Sequence, residues 1–374
     1  MSDVRSPPAS PAFPAPAPAA ASEIPTQPTV VAAVPSLLPR LPAVRGRLAT
    51  DAPLGPRSWF RVGGVAQVLF TPADEADLAA FLAGCPAEVP LTVIGAGSNL
   101  LIRDGGVPGV VIRLGRGLAD VGIDGMVVEA GAAALDLTVA QEACTAGIGG
   151  LAFLSGIPGT LGGAVRMNAG AYGREVADVL RWAQTVDRTG TLRRWGREEL
   201  TFAYRHCALP EDQIITRVAV QGEPAAPAAI ATIMETIASQ REASQPLRTR
   251  TGGSTFANPP GMKAWELIDQ AGCRGLQRGG AQISEKHCNF LLNTGTASAD
   301  DLERLGETVR RRVWENSGVI LRWEIRRIGV PLPGVALPET LESLLARSAG
   351  ETPADPACRS GVQAMATTTG GPFS

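Results

Sequence analysis

The stretch GGLAFLSGIPGTLGGAVRMNAGAYG, residues 149–173, restricts the fold more than any other segment of the chain. Gly156, Pro158, Gly159, Gly162, Gly163 and Gly170 punctuate it closely. So much glycine is costly in backbone entropy on folding. A flexible linker would not intersperse it with Leu151, Phe153, Leu154, Ile157 and Leu161. A backbone that approaches a flat or phosphorylated ligand accounts for both features. The 374 residues are 45% hydrophobic and 19% charged, enough for a sizeable core in two or three domains.

A second glycine-rich loop, Gly95-Ala96-Gly97-Ser98-Asn99, follows Thr92-Val93-Ile94, which reads as a buried strand. Its small residues and N–H groups suit a phosphate or pyrophosphate, and equally a structural turn. A Rossmann fingerprint fails here, because its third glycine would fall at Leu100. LLIRDGG then reads as strand and turn rather than helix, and no Gly-x-x-x-x-Gly-Lys is present in the loop. Upstream, AQVLFTP reads as a strand and ADEADLAAFLAG as a helix with an acidic first turn.

Further along, IITRVAVQ (214–221) reads as a strand. PAAIATIMETIASQREAS (227–244) reads as a helix with an apolar stripe at Ile230, Ile233 and Ile237. MKAWELIDQAG is a helix stopped by Gly272, and NFLLN is a strand. SADDLERLGETVRRRVWENSG is a long helix, with Ser298 and Asp301 as its capping box and Gly318 as its stop. Leu302, Leu305, Val309 and Val313 form its buried face, and Arg310, Arg311 and Arg312 a solvated surface. VILRWEIRRI reads as a final strand carrying Glu324. This is an α+β layout.

RTRTGGSTFANPPG (248–261) sets Ser254 behind two glycines. A nucleophilic serine needs a base, yet the chain has only His206 and His287 and no Gly-x-Ser-x-Gly. Taken alone, Ser254 reads as a turn serine, Arg205 as a surface arginine and Glu324 as a strand residue facing water. The net charge of -2 gives no indication of a nucleic-acid partner. Six scattered cysteines without a Cys-x-x-Cys pair suggest neither zinc nor a redox dithiol, and fit a reducing cytosol. Residues 1–40 read as a disordered Pro/Ala-rich tail without a signal-peptide pattern, and VVAAV is too short to cross a membrane. Residues 330–374 read as a mostly disordered extension with one short helix around ETLESLLARS.

In order along the chain stand FRVGG (60–64), VIGAGSNLLIRDGG (93–106), GIPGTLGGAVRMNAGAYG (156–173) and FAYR (202–205). TRTGGSTFANPPG (249–261), AWELIDQAGCRGLQRGGAQISEKHCNFLLN (264–293) and EIRRIG (324–329) follow. This ordered set, over about residues 45–329, resembles the UDP-N-acetylenolpyruvoylglucosamine reductase (MurB) family. The resemblance is to the shorter type, which lacks a tyrosine-bearing insertion. It implies an FAD-binding domain of the PCMH/vanillyl-alcohol-oxidase type over 45–222 and a smaller α+β substrate-binding domain over 223–329.

The same resemblance implies site residues. Gly95, Gly97, Ser98 and Asn99 would lie near the FAD pyrophosphate, with Gly156, Ile157, Pro158, Gly159, Gly163 and Ala164 on the other side of the cofactor. NADPH would reduce the flavin in a cytoplasmic enzyme of peptidoglycan synthesis that makes UDP-N-acetylmuramate. Hydride would add to C3 of the substrate enol ether. Arg205 would stabilise charge spreading into its carboxylate, Ser254 would protonate C2 as a general acid, and Glu324 would assist. Asn258, Arg274, Lys286 and His287 would contact the UDP-sugar. Two positions depart from the family pattern: Ala257, where lysine is common, and Arg322, where an acid is common. Another flavin oxidoreductase on the same fold, or a non-enzymatic UDP-sugar adaptor, are the alternative readings.

Overall fold

Strand β2 (Val65–Thr71) organises the first sheet of the computed structural model, which describes residues 36–348. It pairs antiparallel with β1 (Arg47–Pro53) and parallel with Val107–Arg113 (β5). Beyond β5 lies β3 (Leu91–Ile94), also parallel. Side chains alternate across this sheet. Val68, Phe70, Val110 and Ile112 pack against Leu78, Phe81 and Leu82 of helix α1 (Glu75–Gly84), while Leu69 and Val111 face the opposite way. Asp74 caps α1 by accepting from Asp77 N at 2.9 Å. As an edge strand β3 is less buried than its sequence suggests: Ile94 is covered but Val93 is exposed. Where a Rossmann helix would begin, the chain enters β4 (Leu100–Ile102).

Five antiparallel strands form the second sheet. They are β6 (Val121–Asp124), β7 (Val127–Gly131), β8 (Leu180–Val186), β9 (Leu192–Gly196) and β10 (Ile214–Gln221), in the spatial order β9-β8-β10-β7-β6. Helices α2 (Asp136–Thr145) and α3 (Leu161–Arg166) bury Val139, Ala140, Leu161 and Val165 against Val128, Ala130, Val218 and Val220 of the sheet. Helix α4 (Pro227–Ser244) packs here too, on α2 and residues 152–156. A boundary after residue 222 assigns it to the second domain, but its apolar face belongs to the first. Ile230 and Ile237 are buried as expected, whereas Ile233 is 52% exposed, because the stripe is narrower than the spacing implied.

The second core gathers α5 (Ala264–Gln270), α6 (Ala299–Ser317) and three short strands, β11 (Gln277–Arg278), β12 (Ala281–Ile283) and β13 (Leu291–Asn293). Phe60, Val62 and Leu101 from the first lobe complete it. The Ser298–Asp301 capping box and the left-handed Gly318, φ 70°, bound α6 as read from the sequence. The expected final strand is shorter: only Arg326–Ile328 (β14) forms a ladder, parallel to β4. No helix among the described residues is long and apolar enough to cross a membrane.

Three expectations need correction or division. Arg310 is not solvated but 3% exposed, and donates to Leu321 O at 2.8 Å, Glu307 Oε2 at 2.8 Å and both oxygens of Glu342. Glu342 lies on α7 (Leu341–Ser348), the expected short helix of the extension, so this part of the extension is packed. Leu37 is buried beside Phe81 and Val89, so packing begins before residue 40; residues 1–35 and 349–374 lie outside the described residues. Arg310→Ala should lower the unfolding free energy by roughly 1–3 kcal/mol, because it leaves Oε2 of buried Glu307 and the Leu321 carbonyl without their donor, while Trp323 and Arg327 still hold Oε1. Arg311→Ala should change it by no more than ~0.5 kcal/mol in the same denaturant titration.

Candidate active site

Hydrogen bonds and close packing draw five separate segments to one place. The loop 95–99 lies between β3 and β4, with Gly97 at φ 70° and its carbonyl accepting from Trp59 N at 3.1 Å. Gly95 abuts the second glycine-rich stretch so closely that a Cβ there would stand 2.6 Å from Thr160 Oγ1. Ser98, Asn99 and residues 156–159 are half-buried along this junction. Two glycine-rich backbones facing each other, with room that side chains would fill, suit the elongated, phosphate-bearing FAD. Gly163 lies within α3. Ala164 is different: it is buried, its N–H is bonded to Thr160 O at 2.9 Å and its carbonyl to Ala169 N at 2.8 Å, so it forms core.

Arg205 sits in the two-residue turn of a hairpin, Phe202–Ala203 with His206–Cys207. Its φ is 57°, a left-handed conformation that costs a side-chain-bearing residue about 1 kcal/mol or more. Buried Asn168 donates to Ala203 O at 3.1 Å and so ties the hairpin to the glycine-rich stretch. Arg205 Nη2 donates to Gly170 O of that stretch at 3.3 Å, and Nε to Glu324 Oε1 at 2.7 Å. Glu324 N in turn donates to Thr255 O at 2.9 Å, beside Ser254. Asn99 Nδ2 donates to Glu324 O at 3.2 Å. Arg205, Glu324, the Ser254–Thr255 segment and the first loop therefore form one connected set. The Ser254 hydroxyl is half-buried and has no hydrogen-bond partner among the described residues.

Burial raises the pKa of Glu324, and the charge and hydrogen bond of Arg205 oppose that rise. The pair is 26% and 14% exposed at its side chains, dry enough for the interaction to outweigh a surface ion pair.

The four expected sugar-nucleotide residues do not converge. Asn258 Oδ1 accepts from Ala264 N at 2.9 Å and caps α5. Arg274 makes a two-pronged contact with Asp269, both bonds 2.8 Å. His287 is packed between Trp265 and Phe290, and burial, helped by the Arg274 charge, holds its pKa below the usual histidine value. Lys286 lines a cavity of about 900 Å³ shared with Ser155, Arg241, Glu242, Arg248 and Met234. Ser155 places this cavity next to Gly156. Sequence reasoning did not single out Asn168, Arg241 or Tyr172, whose hydroxyl donates to Ile237 O on α4 at 3.2 Å. Asn168 at φ 40°, buried in a run of small residues, was the legible signal among them.

Gly95→Ala should force the two glycine-rich segments apart, and flavin absorbance per chain in the purified protein should fall. Arg205→Met should raise the Glu324 pKa further, since it removes the charge that opposes burial. A protonated-carboxyl infrared band should then titrate at higher pH than in the native protein, and vanish in Arg205→Met with Glu324→Gln.

Comparison with known proteins bears out the family, the FAD and the two-part α+β fold. A family model described as an FAD binding domain matches residues 66–196. The model of the UDP-N-acetylenolpyruvoylglucosamine reductase C-terminal domain matches residues 245–328. The UDP-N-acetylenolpyruvoylglucosamine reductase of Acidiphilium cryptum is 60% identical over 296 residues, 79% of this chain and 96% of that protein. That of Rhodospirillum rubrum is 61% identical over 308 residues, 81% of this chain and 97% of its own length. The crystal structure of the reductase (MurB) from Thermus caldophilus superposes with a TM-score of 0.66 at 36% identity, covering 77% of this chain and all of that one. With relatives this similar along most of its length, the chain belongs to the UDP-N-acetylenolpyruvoylglucosamine reductase (MurB) family of FAD enzymes.

Proposed function

We propose that Arg205, Ser254 and Glu324 carry the reductase reaction of this family, converting UDP-N-acetylenolpyruvoylglucosamine to UDP-N-acetylmuramate with NADPH. The hydrogen-bonded connection from the glycine-rich stretch through Arg205 and Glu324 to the segment of Ser254 carries this reading. FAD, when bound, supplies the hydride chemistry linking NADPH to C3 of the enol ether.

The chain's own residues then handle charge and a proton. Arg205 uses Nε for Glu324 and Nη2 for Gly170 O, leaving Nη1 without a partner among the described residues. That edge of the guanidinium receives the substrate carboxylate and stabilises the charge that develops there. A second carboxylate on the same guanidinium weakens its hold on Glu324, and burial then favours the neutral form of Glu324. Ser254, its hydroxyl uncommitted, delivers a proton to C2 as a general acid. This role needs no histidine, which fits a chain with only two, one in a hairpin and one packed between aromatic rings.

The nucleotide end of the substrate fits the cavity bearing Arg241, Arg248 and Lys286, three cations suited to a diphosphate. The five described cysteines are free thiols, which supports a reducing, cytoplasmic setting.

Ser254→Ala tests the central step. Flavin bleaching by NADPH should persist, while reoxidation by the UDP-sugar slows ~10²–10⁴-fold, the usual worth of a positioned proton donor. Equal loss in both half-reactions would remove Ser254 from the proton path. Arg205→Lys should also lower turnover more than modestly, because an ammonium lacks the guanidinium fork. Near-normal turnover by that variant would overturn the carboxylate-binding role.

A further inference from the structure

Asp136, the first residue of α2, is fully buried, yet neither of its carboxyl oxygens has a hydrogen-bond partner. Only Thr251 Oγ1 shares that condition among the buried side-chain polar atoms described. A buried carboxyl left unsatisfied is costly, and native proteins resolve such groups with a ligand, an ion or a water.

Its location selects among these. Asp136 N donates to Gly159 O at 3.2 Å, and Gly159 faces the 95–99 loop. A Cβ on Gly159 would stand 3.0 Å from Asp136 Oδ2 and 3.8 Å from Ser98 Oγ. Only the bare backbone of Gly159 therefore separates the carboxyl from the half-buried Ser98, leaving a gap no larger than a methyl group. That gap lies between the two glycine-rich segments that flank the cofactor site. Burial alone pushes the Asp136 pKa well above the usual carboxylate range, with no cation or hydrogen bond opposing it. A neutral carboxyl both donates and accepts, which matches hydroxyl and phosphate oxygens without repelling the phosphates.

We propose that Asp136 is an additional FAD-binding residue, its carboxyl hydrogen-bonding an oxygen of the ribityl-diphosphate portion of the cofactor through the gap beside Gly159. The inference rests on the two glycine-rich segments being the FAD site, and on none of the roles given to Arg205, Ser254 or Glu324.

The test is the rate at which the holoenzyme releases FAD on dilution, followed by the rise in free-flavin fluorescence. Asp136→Leu keeps the branched shape and removes all hydrogen bonding, so release should be roughly 10-fold faster, the loss expected for one buried hydrogen bond. Asp136→Asn keeps a neutral donor and acceptor and should stay within about 3-fold of the native rate. Added FAD should also raise the unfolding temperature of Asp136→Leu less than that of the native protein. Native release by Asp136→Leu, or release by Asp136→Asn as fast as by Asp136→Leu, overturns the proposal. Should Asp136→Leu fail to fold, Asp136→Ala against Asp136→Asn makes the same comparison. Gly95→Ala separates the two levels: weakened FAD there with native behaviour in Asp136→Leu sinks Asp136 alone, whereas native FAD binding in both removes the site itself.

Discussion

Between Glu324 and Arg326 the backbone changes partners. Glu324 N is bonded to Thr255 O, and two residues later Arg326 N is bonded to Asn99 O. Each buried N–H must find an acceptor, so this short segment cannot shift along either neighbour without breaking a bond. Trp323 reinforces the arrangement: it bridges Phe256 by backbone, stacks near its ring at 5.1 Å and donates Nε1 to Glu307 Oε1 at 2.7 Å. The carboxylate of Glu324 is thus placed by the joint between two lobes, which explains how residues 119 apart in sequence, Arg205 and Glu324, meet at 2.7 Å.

Much of this was legible in the sequence, and for identifiable reasons. Strand β10, helix α4 and helix α6 carry long periodic patterns with clear stops, and their observed limits coincide with the sequence reading. The failed Rossmann fingerprint was a sound exclusion, because Leu100 opens a strand. The misreadings share one cause, which is that tertiary neighbours decide exposure. Arg310 has the composition of a surface position, but Glu307 and Glu342 close over it. Ile233 has the spacing of a core position, but nothing packs on that side of α4. In the site, ordered motifs brought out Arg205, Ser254 and Glu324, whereas Asp136 carries no signature that separates it from any helix-opening aspartate.

The two departures from the family pattern turn out to be neighbours. Ala257 N donates to Arg322 O at 2.9 Å, next to the Phe256–Trp323 bridge. The two positions thus lie opposite each other, joined through their backbones.

The C-terminal match to the family ends at residue 328, but the electrostatic unit does not. Arg103, Arg310 and Arg327 are interlocked with Glu303, Glu307 and Glu342 around α6. Three cations face three carboxylates, so the cluster is neutral only when α7 is counted. A chain ended at the family boundary would keep all three guanidinium groups and lose one of their counter-charges, leaving an excess positive charge against α6. The extension that composition alone marks as mostly disordered therefore supplies the last charge needed to balance the core it follows.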